Sequence, residues 1–98
     1  MATNFQDQLV GSLEKLADDI GASWHSRAVR GEEEYIVVKL ARGKTTLDVY
    51  VYLDEAGFYK GEEWHMYEQC DFDSPDALKT SILSDLAKAL GETRGQMR

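Results

Sequence analysis

The chain has 98 residues, 43% of them hydrophobic and 30% charged, and a formal net charge of −7 at pH 7. That length holds one domain with a single modest core, and the acidic balance argues against direct binding to nucleic acid, whose phosphates attract clustered Lys and Arg. No apolar run approaches the roughly 20 residues that a membrane span requires, and the one cysteine, Cys70, has no partner in the chain for a disulfide.

The first predicted element is a helix from about Asn4 to Ile20. Phe5, Leu9, Leu13, Leu16 and Ile20 recur at spacings of three and four, which puts them on one face. Thr3 suits the N-cap, with Gln6 completing a capping box, and Gly21 suits the C′ position. Gly11 lowers the helix propensity by roughly 1 kcal/mol relative to Ala and would allow a close approach by a neighbouring strand. Met1 to Gln8 has neither a basic n-region nor an apolar h-region, so no signal peptide is expected and a cytoplasmic protein is.

The period then changes from 3.6 to 2. Ala22 to Arg30 is a weak strand anchored by Trp24, and Gly31 with three glutamates makes a turn. Tyr35 to Ala41 reads as a strand rich in β-branched residues. Arg42-Gly43-Lys44 reads as a hairpin connection, with Gly43 suited to positive φ. Thr45 to Leu53 alternates cleanly: Leu47, Val49, Val51 and Leu53 on one side, Thr46, Asp48, Tyr50 and Tyr52 on the other. Asp54 to Gly57 is expected to turn. Phe58 to Lys60 and Glu63 to Tyr67 read as a last strand interrupted by a bulge at Gly61.

A closing helix follows, with Ser74 as N-cap, Pro75 at the first helical position and Asp76 complementing the helix dipole. Leu78, Ile82, Leu86 and Leu90 stack at spacings of four, and Gly91 is expected to end the helix. Residues 1–91 are thus read as a single α+β domain and 92–98 as a disordered tail. The fold class is an α+β two-layer sandwich of order α-β-β-β(-β)-α, with an antiparallel sheet carrying both helices on one face. The opposite face, with Tyr35, Val37, Lys39, Thr46, Asp48, Tyr50 and Tyr52, is left open, as antiparallel sheets tolerate.

From Asp54 to Asp76 there are eight acids and one base, Lys60, so this segment holds a charge equal to that of the whole chain. Phe58, Tyr59, Trp64, Tyr67 and Phe72 are interleaved with them. Acids among aromatics point to a surface for a basic partner, since opposite potentials speed encounter and select partners and buried aromatics dominate binding energy. The expected partner-binding residues are Asp54, Glu55, Tyr59, Glu62, Glu63, Trp64, Tyr67, Glu68, Asp71 and Asp73, joined by Tyr50 and Tyr52. Trp64, Tyr59 and Tyr67 would be the anchors. The expected function is a small acidic binding module docking on a basic protein surface. Its sharpest form is an inhibitor or immunity protein that mimics nucleic acid to block a nucleic-acid-binding protein or toxin. Surplus acid also serves solubility alone, and the open face could equally pair two copies into a structural homodimer.

Catalysis is not expected. Cys70 lacks a base placed by its spacing to His65, no phosphate-cradling glycine loop occurs, and adjacent Glu62 and Glu63 would point to opposite faces of a strand. His65, Cys70 and Asp71 form a weak alternative metal set without the second ligand pair of a zinc site, and no cofactor is expected. The helix–strands–helix order resembles that of frataxin-like iron-handling proteins, of double-stranded-RNA-binding domains and of small immunity proteins. That likeness lies in element order alone, and it implies iron handling by the acids as the alternative function.

Overall fold

The structure is a computed structural model and describes residues 4–31, 34–60 and 62–95. Helix α1 (Phe5–Ile20) is followed by strands β1 (Ser23–Val29), β2 (Tyr35–Arg42), β3 (Thr45–Val51), β4 (Glu55–Lys60) and β5 (Glu63–Glu68). A 3₁₀ turn (Gln69–Asp71) then leads into helix α2 (Pro75–Gly95). The five strands form one antiparallel sheet in sequence order, a meander with β1 and β5 at its edges.

Both helices take their ends from local chemistry. Thr3 lies outside the described residues; Asn4 caps α1 instead, its side chain accepting from the Asp7 N–H at 2.8 Å. Gln6 does not complete a capping box. It is buried, and its Nε2 donates to the Val51 carbonyl at 3.0 Å. Gly21 adopts φ 72°, and the Ala22 and Gly21 N–H groups return to the Ala17 and Asp18 carbonyls, the pairing that closes a Schellman motif. Gly11 is exposed, and a Cβ there would meet nothing within 4 Å, so no strand approaches it. At α2, the Ser74 hydroxyl accepts from the Ala77 N–H at 3.1 Å. This helix does not stop at Gly91: it continues to Gly95, so its backbone runs into the segment expected to be tail, of which residues 96–98 lie outside the described residues.

The expected last strand is two. The chain reverses between Lys60 and Glu63, which pair directly, and β4 and β5 form a hairpin; the bulge expected at Gly61 lies outside the described residues. The preceding reversal also moves. Tyr52 donates its N–H to the Glu55 carbonyl at 2.8 Å, so the chain turns at Leu53 and Asp54, and Glu55 to Gly57 are already strand. Leu53 therefore leaves the aliphatic face and is 58% exposed. At the β2–β3 hairpin, Gly43 takes φ 61°, the first central position that a two-residue turn reserves for glycine.

The core lies between the sheet and the helices. Leu9, Leu13 and Ala17 of α1 and Leu78, Ile82, Leu86 and Leu90 of α2 are buried with Val38, Leu40, Leu47, Val49, Val51, Ala56 and Phe58 in one cluster. These strand residues alternate along the chain and pair across it, Leu40 with Leu47 and Val49 with Phe58, so they share one sheet face. Both helices thus cover the same face. Lys79 of α2 joins them, its Nζ lying 2.8 Å from Gln8 Oε1 and 3.1 Å from Asp76.

Candidate functional site

The register fixes which residues point away from the helices. Arg27, Val37, Tyr50, Gly57 and Met66 lie in one row across all five strands, each opposite the next. Parallel rows carry His25, Lys39 and Asp48 on one side, and Val29, Tyr35, Glu55 and Glu68 on the other. Tyr35, Val37, Lys39, Thr46, Asp48, Tyr50 and Tyr52 therefore share the uncovered face, as the alternation of β2 and β3 implies.

On that face five aromatic rings make one connected cluster. Tyr35 lies 5.2 Å from Tyr52 and 5.9 Å from Tyr50, ring centroid to centroid. Tyr50 meets Trp64 edge-on at 5.7 Å and Tyr59 at 6.2 Å, and Tyr59 and Trp64 lie 4.8 Å apart. These separations fall in the range where aromatic quadrupoles attract. The rings remain accessible: Tyr59 is 46%, Trp64 38% and the neighbouring Met66 37% exposed. Tyr50, Tyr52, Tyr59 and Trp64 line a shallow recess of about 190 Å³.

Trp64 reaches Tyr50 across β4 because Gly57, which lies between them, has no side chain. A Cβ at Gly57 would fall 2.5 Å from Trp64 Cζ2. Gly57 and Met66 were not among the residues expected here. The signal was available: a glycine inside a strand flanked by aromatics marks a place where another group approaches the backbone.

The acidic run does not form one continuous surface. Asp54 sits in the β3–β4 turn, and Glu55 and Glu68 stand directly opposite each other on the open face. Asp71 and Asp73 follow β5 at that same end of the sheet, whereas Glu62 and Glu63 lie at the opposite end, where β4 passes into β5. The hairpin thus carries acid at both ends with Tyr59 and Trp64 between. Asp76 belongs to the helix layer, paired with Lys79. Asp48 on the open face has its Oδ1 buried with no hydrogen-bond partner among the described residues.

Tyr67 does not join the aromatic face. It is 8% exposed on the helix side, stacked on Phe58 at 6.0 Å and on Phe72 at 6.4 Å, and its hydroxyl donates to Asp85 Oδ2. Burial, then the bond to Asp85 and that carboxylate's charge, push the Tyr67 phenol well above its usual range. Its role is in the core, and the anchor role expected of it does not follow. A recess of about 270 Å³ nearby is lined by Phe58, Lys60, His65, Tyr67, Asp85 and Lys88. There His65 stacks on Phe58 at 5.3 Å, and its Nε2 is buried without a partner among the described residues.

The alternative metal set is not gathered. His65 faces the helix layer, Cys70 sits exposed in the 3₁₀ turn, and no group of three or more His, Cys, Asp or Glu among the described residues is placed to hold an ion. Cys70 Sγ lies 3.6 Å from Glu68 Oε2; the Asp71 charge first, then desolvation and Glu68, push its thiol up. That disfavours the thiolate a nucleophile needs. No described helix is long and apolar enough to cross a membrane. No protein-family model, curated protein or solved structure matches the chain.

Proposed function

We propose that this protein is a binding module without a catalytic role, and that the uncovered sheet face docks on a basic protein surface. The observation that supports this reading is the cluster of Tyr35, Tyr50, Tyr52, Tyr59 and Trp64 on a face that no described element covers, bordered at β4 and β5 by Glu55 and Glu68. Tyr and Trp are enriched at interface centres because each offers a large rigid contact area with a polar tip. Arginine and lysine on the partner would stack on the rings while the acids steer them in. Tyr59 and Trp64 are the anchors in this reading. Inhibition of a nucleic-acid-binding protein or toxin is its most specific form.

Affinity capture from the native host tests it, comparing the parent chain with Trp64→Ser and Tyr59→Ser at low salt and at about 1 M salt, where charges are screened within roughly 3 Å. The expected result is a partner lost by both variants and weakened by salt. A partner held equally by the parent and both variants overturns the proposal.

A further inference from the structure

The recess on the open face is lined, among the described residues, by Tyr50, Tyr52, Tyr59 and Trp64, and no charged side chain is among those four. Three of the rings touch one another without stacking. Tyr50 meets Trp64 at an interplanar angle of 71° and Tyr59 at 79°, and Tyr59 is tilted by 51° against Trp64. They do not form the flat plate on which a planar guanidinium or a base stacks. Their centroids stand 4.8, 5.7 and 6.2 Å apart. A single cation over that triangle can therefore lie within about 6 Å of all three, the reach of a cation–π contact.

Charge and size narrow the occupant further. On β3, β4 and β5 the charged residues of this face are all acids: Asp48, Glu55 and Glu68. Asp48 is the next residue before Tyr50 on that face, and its Oδ1 is buried without a hydrogen-bond partner among the described residues. This setting favours a cation and repels an anion. Pockets for whole drug-sized molecules run to about 300–1,000 Å³, whereas this one has about 190 Å³ and holds a single group. An unmodified lysine ammonium is a strongly hydrated point charge with three N–H donors. Rings and phenols without a carboxylate among them return few of the hydrogen bonds it gives up on entry. Methylation removes the donors and keeps the charge.

We propose that the recess holds the quaternary ammonium of a trimethyllysine side chain on the partner protein. This rests on the reading of the open face as a docking surface and names the group that the surface recognises. A side chain fits better than a free small molecule, because the recess takes only a head group. The exposed face around it, with Met66 in the same row as Tyr50, is left for the polypeptide that carries the lysine. Gly57 belongs to the same device, since only a residue without a side chain lets the indole reach across β4 to Tyr50.

NMR titration of the parent chain tests the proposal. The probes are the Nα-acetyl amides of trimethyllysine, of lysine, of arginine and of the neutral carbon isostere of trimethyllysine, in which C replaces the charged N, together with tetramethylammonium. The trimethyllysine derivative is expected to bind in the millimolar range, about tenfold more tightly than the lysine derivative or the neutral isostere. It should shift the Trp64 indole and the Tyr50 and Tyr59 amides and leave α1 unmoved. Tetramethylammonium should compete with it. Trp64→Leu, checked for folding by circular dichroism, keeps apolar bulk without a π face and should weaken binding about tenfold, with Trp64→Phe losing less. The proposal is overturned if no trimethyllysine binding is seen, if lysine, arginine or the neutral isostere binds as tightly, or if Trp64→Leu binds unchanged. Tetramethylammonium binding alone, with no response to the trimethyllysine derivative, overturns it too. None of these results removes the docking reading, which stands or falls on the capture comparison with Trp64→Ser.

Discussion

The indole of Trp64 occupies the space directly over Gly57. A Cβ at Gly57 would lie 2.5 Å from Cζ2 and 2.6 Å from Cη2 of that ring, and 2.8 Å from the His65 carbonyl oxygen. Glycine weakens a strand by entropy and lost packing, and an aromatic ring laid across it from the neighbouring strand restores part of that loss. Gly57→Ala is therefore expected to destabilise the fold by about 1–3 kcal/mol, measured by urea unfolding. In a Trp64→Thr background the penalty shrinks, because the ring is gone, but persists, because the His65 carbonyl is backbone. Equal penalties in the two backgrounds would show that the ring does not depend on the glycine.

Gly11 behaves in the opposite way. It lies mid-helix and exposed, with open space where a Cβ would go. Gly11→Ala should stabilise the protein by about 0.5–1 kcal/mol, through helix propensity alone, and raise the thermal midpoint without changing association.

The Tyr67 phenol is held neutral by burial and by its bond to Asp85. Its pKa is raised on folding, so the protonated form is the one the fold favours. The associated stability is complete below the unfolded value of about 10 and declines as pH rises from there toward the folded value. Unfolding measured between pH 8 and pH 12 should show this alkaline loss in the parent chain and a flatter profile in Tyr67→Phe. At neutral pH the same substitution should cost about 1 kcal/mol for the hydrogen bond.

Gln6 links α1 to the end of β3 by its bond to the Val51 carbonyl. Truncation to Ala leaves a buried acceptor unmet and should cost about 1–3 kcal/mol by chemical denaturation. A shift below a few tenths of a kcal/mol would mean that water replaces the amide.

Periodicity made most of the architecture legible. The helix stripes of four-residue spacing and the alternation of β3 each follow from one face being buried: Leu9, Leu13, Leu78, Ile82, Leu86, Leu90, Leu47, Val49 and Val51 are buried, whereas Phe5, Leu16 and Ile20 of the same stripes are half-buried and Leu53 is exposed. Turns were less legible. Asp54 to Gly57 has turn composition, yet Glu55 to Gly57 are strand, because pairing with β5 runs through Glu55 and because the glycine is required beneath an indole. The open face was half visible: alternation placed Tyr50 and Tyr52 there, but Trp64 and Met66 joined it only through the β4–β5 register, which composition does not carry. The same register turns Tyr67 away from the open face. It lies in the same short strand as Trp64, three residues on and hence on the other face.

Because each strand pairs with its immediate successor, the sheet can assemble as the chain emerges during synthesis, by closing short loops. α2 is made last. Until it docks, α1 alone shields the aliphatic side of the growing sheet, and the nascent chain passes through a stage with Val49, Val51 and Phe58 poorly covered. Docking of α2 is then what separates a sticky intermediate from the native state, and premature termination before Pro75 should yield an aggregating fragment rather than a smaller working protein.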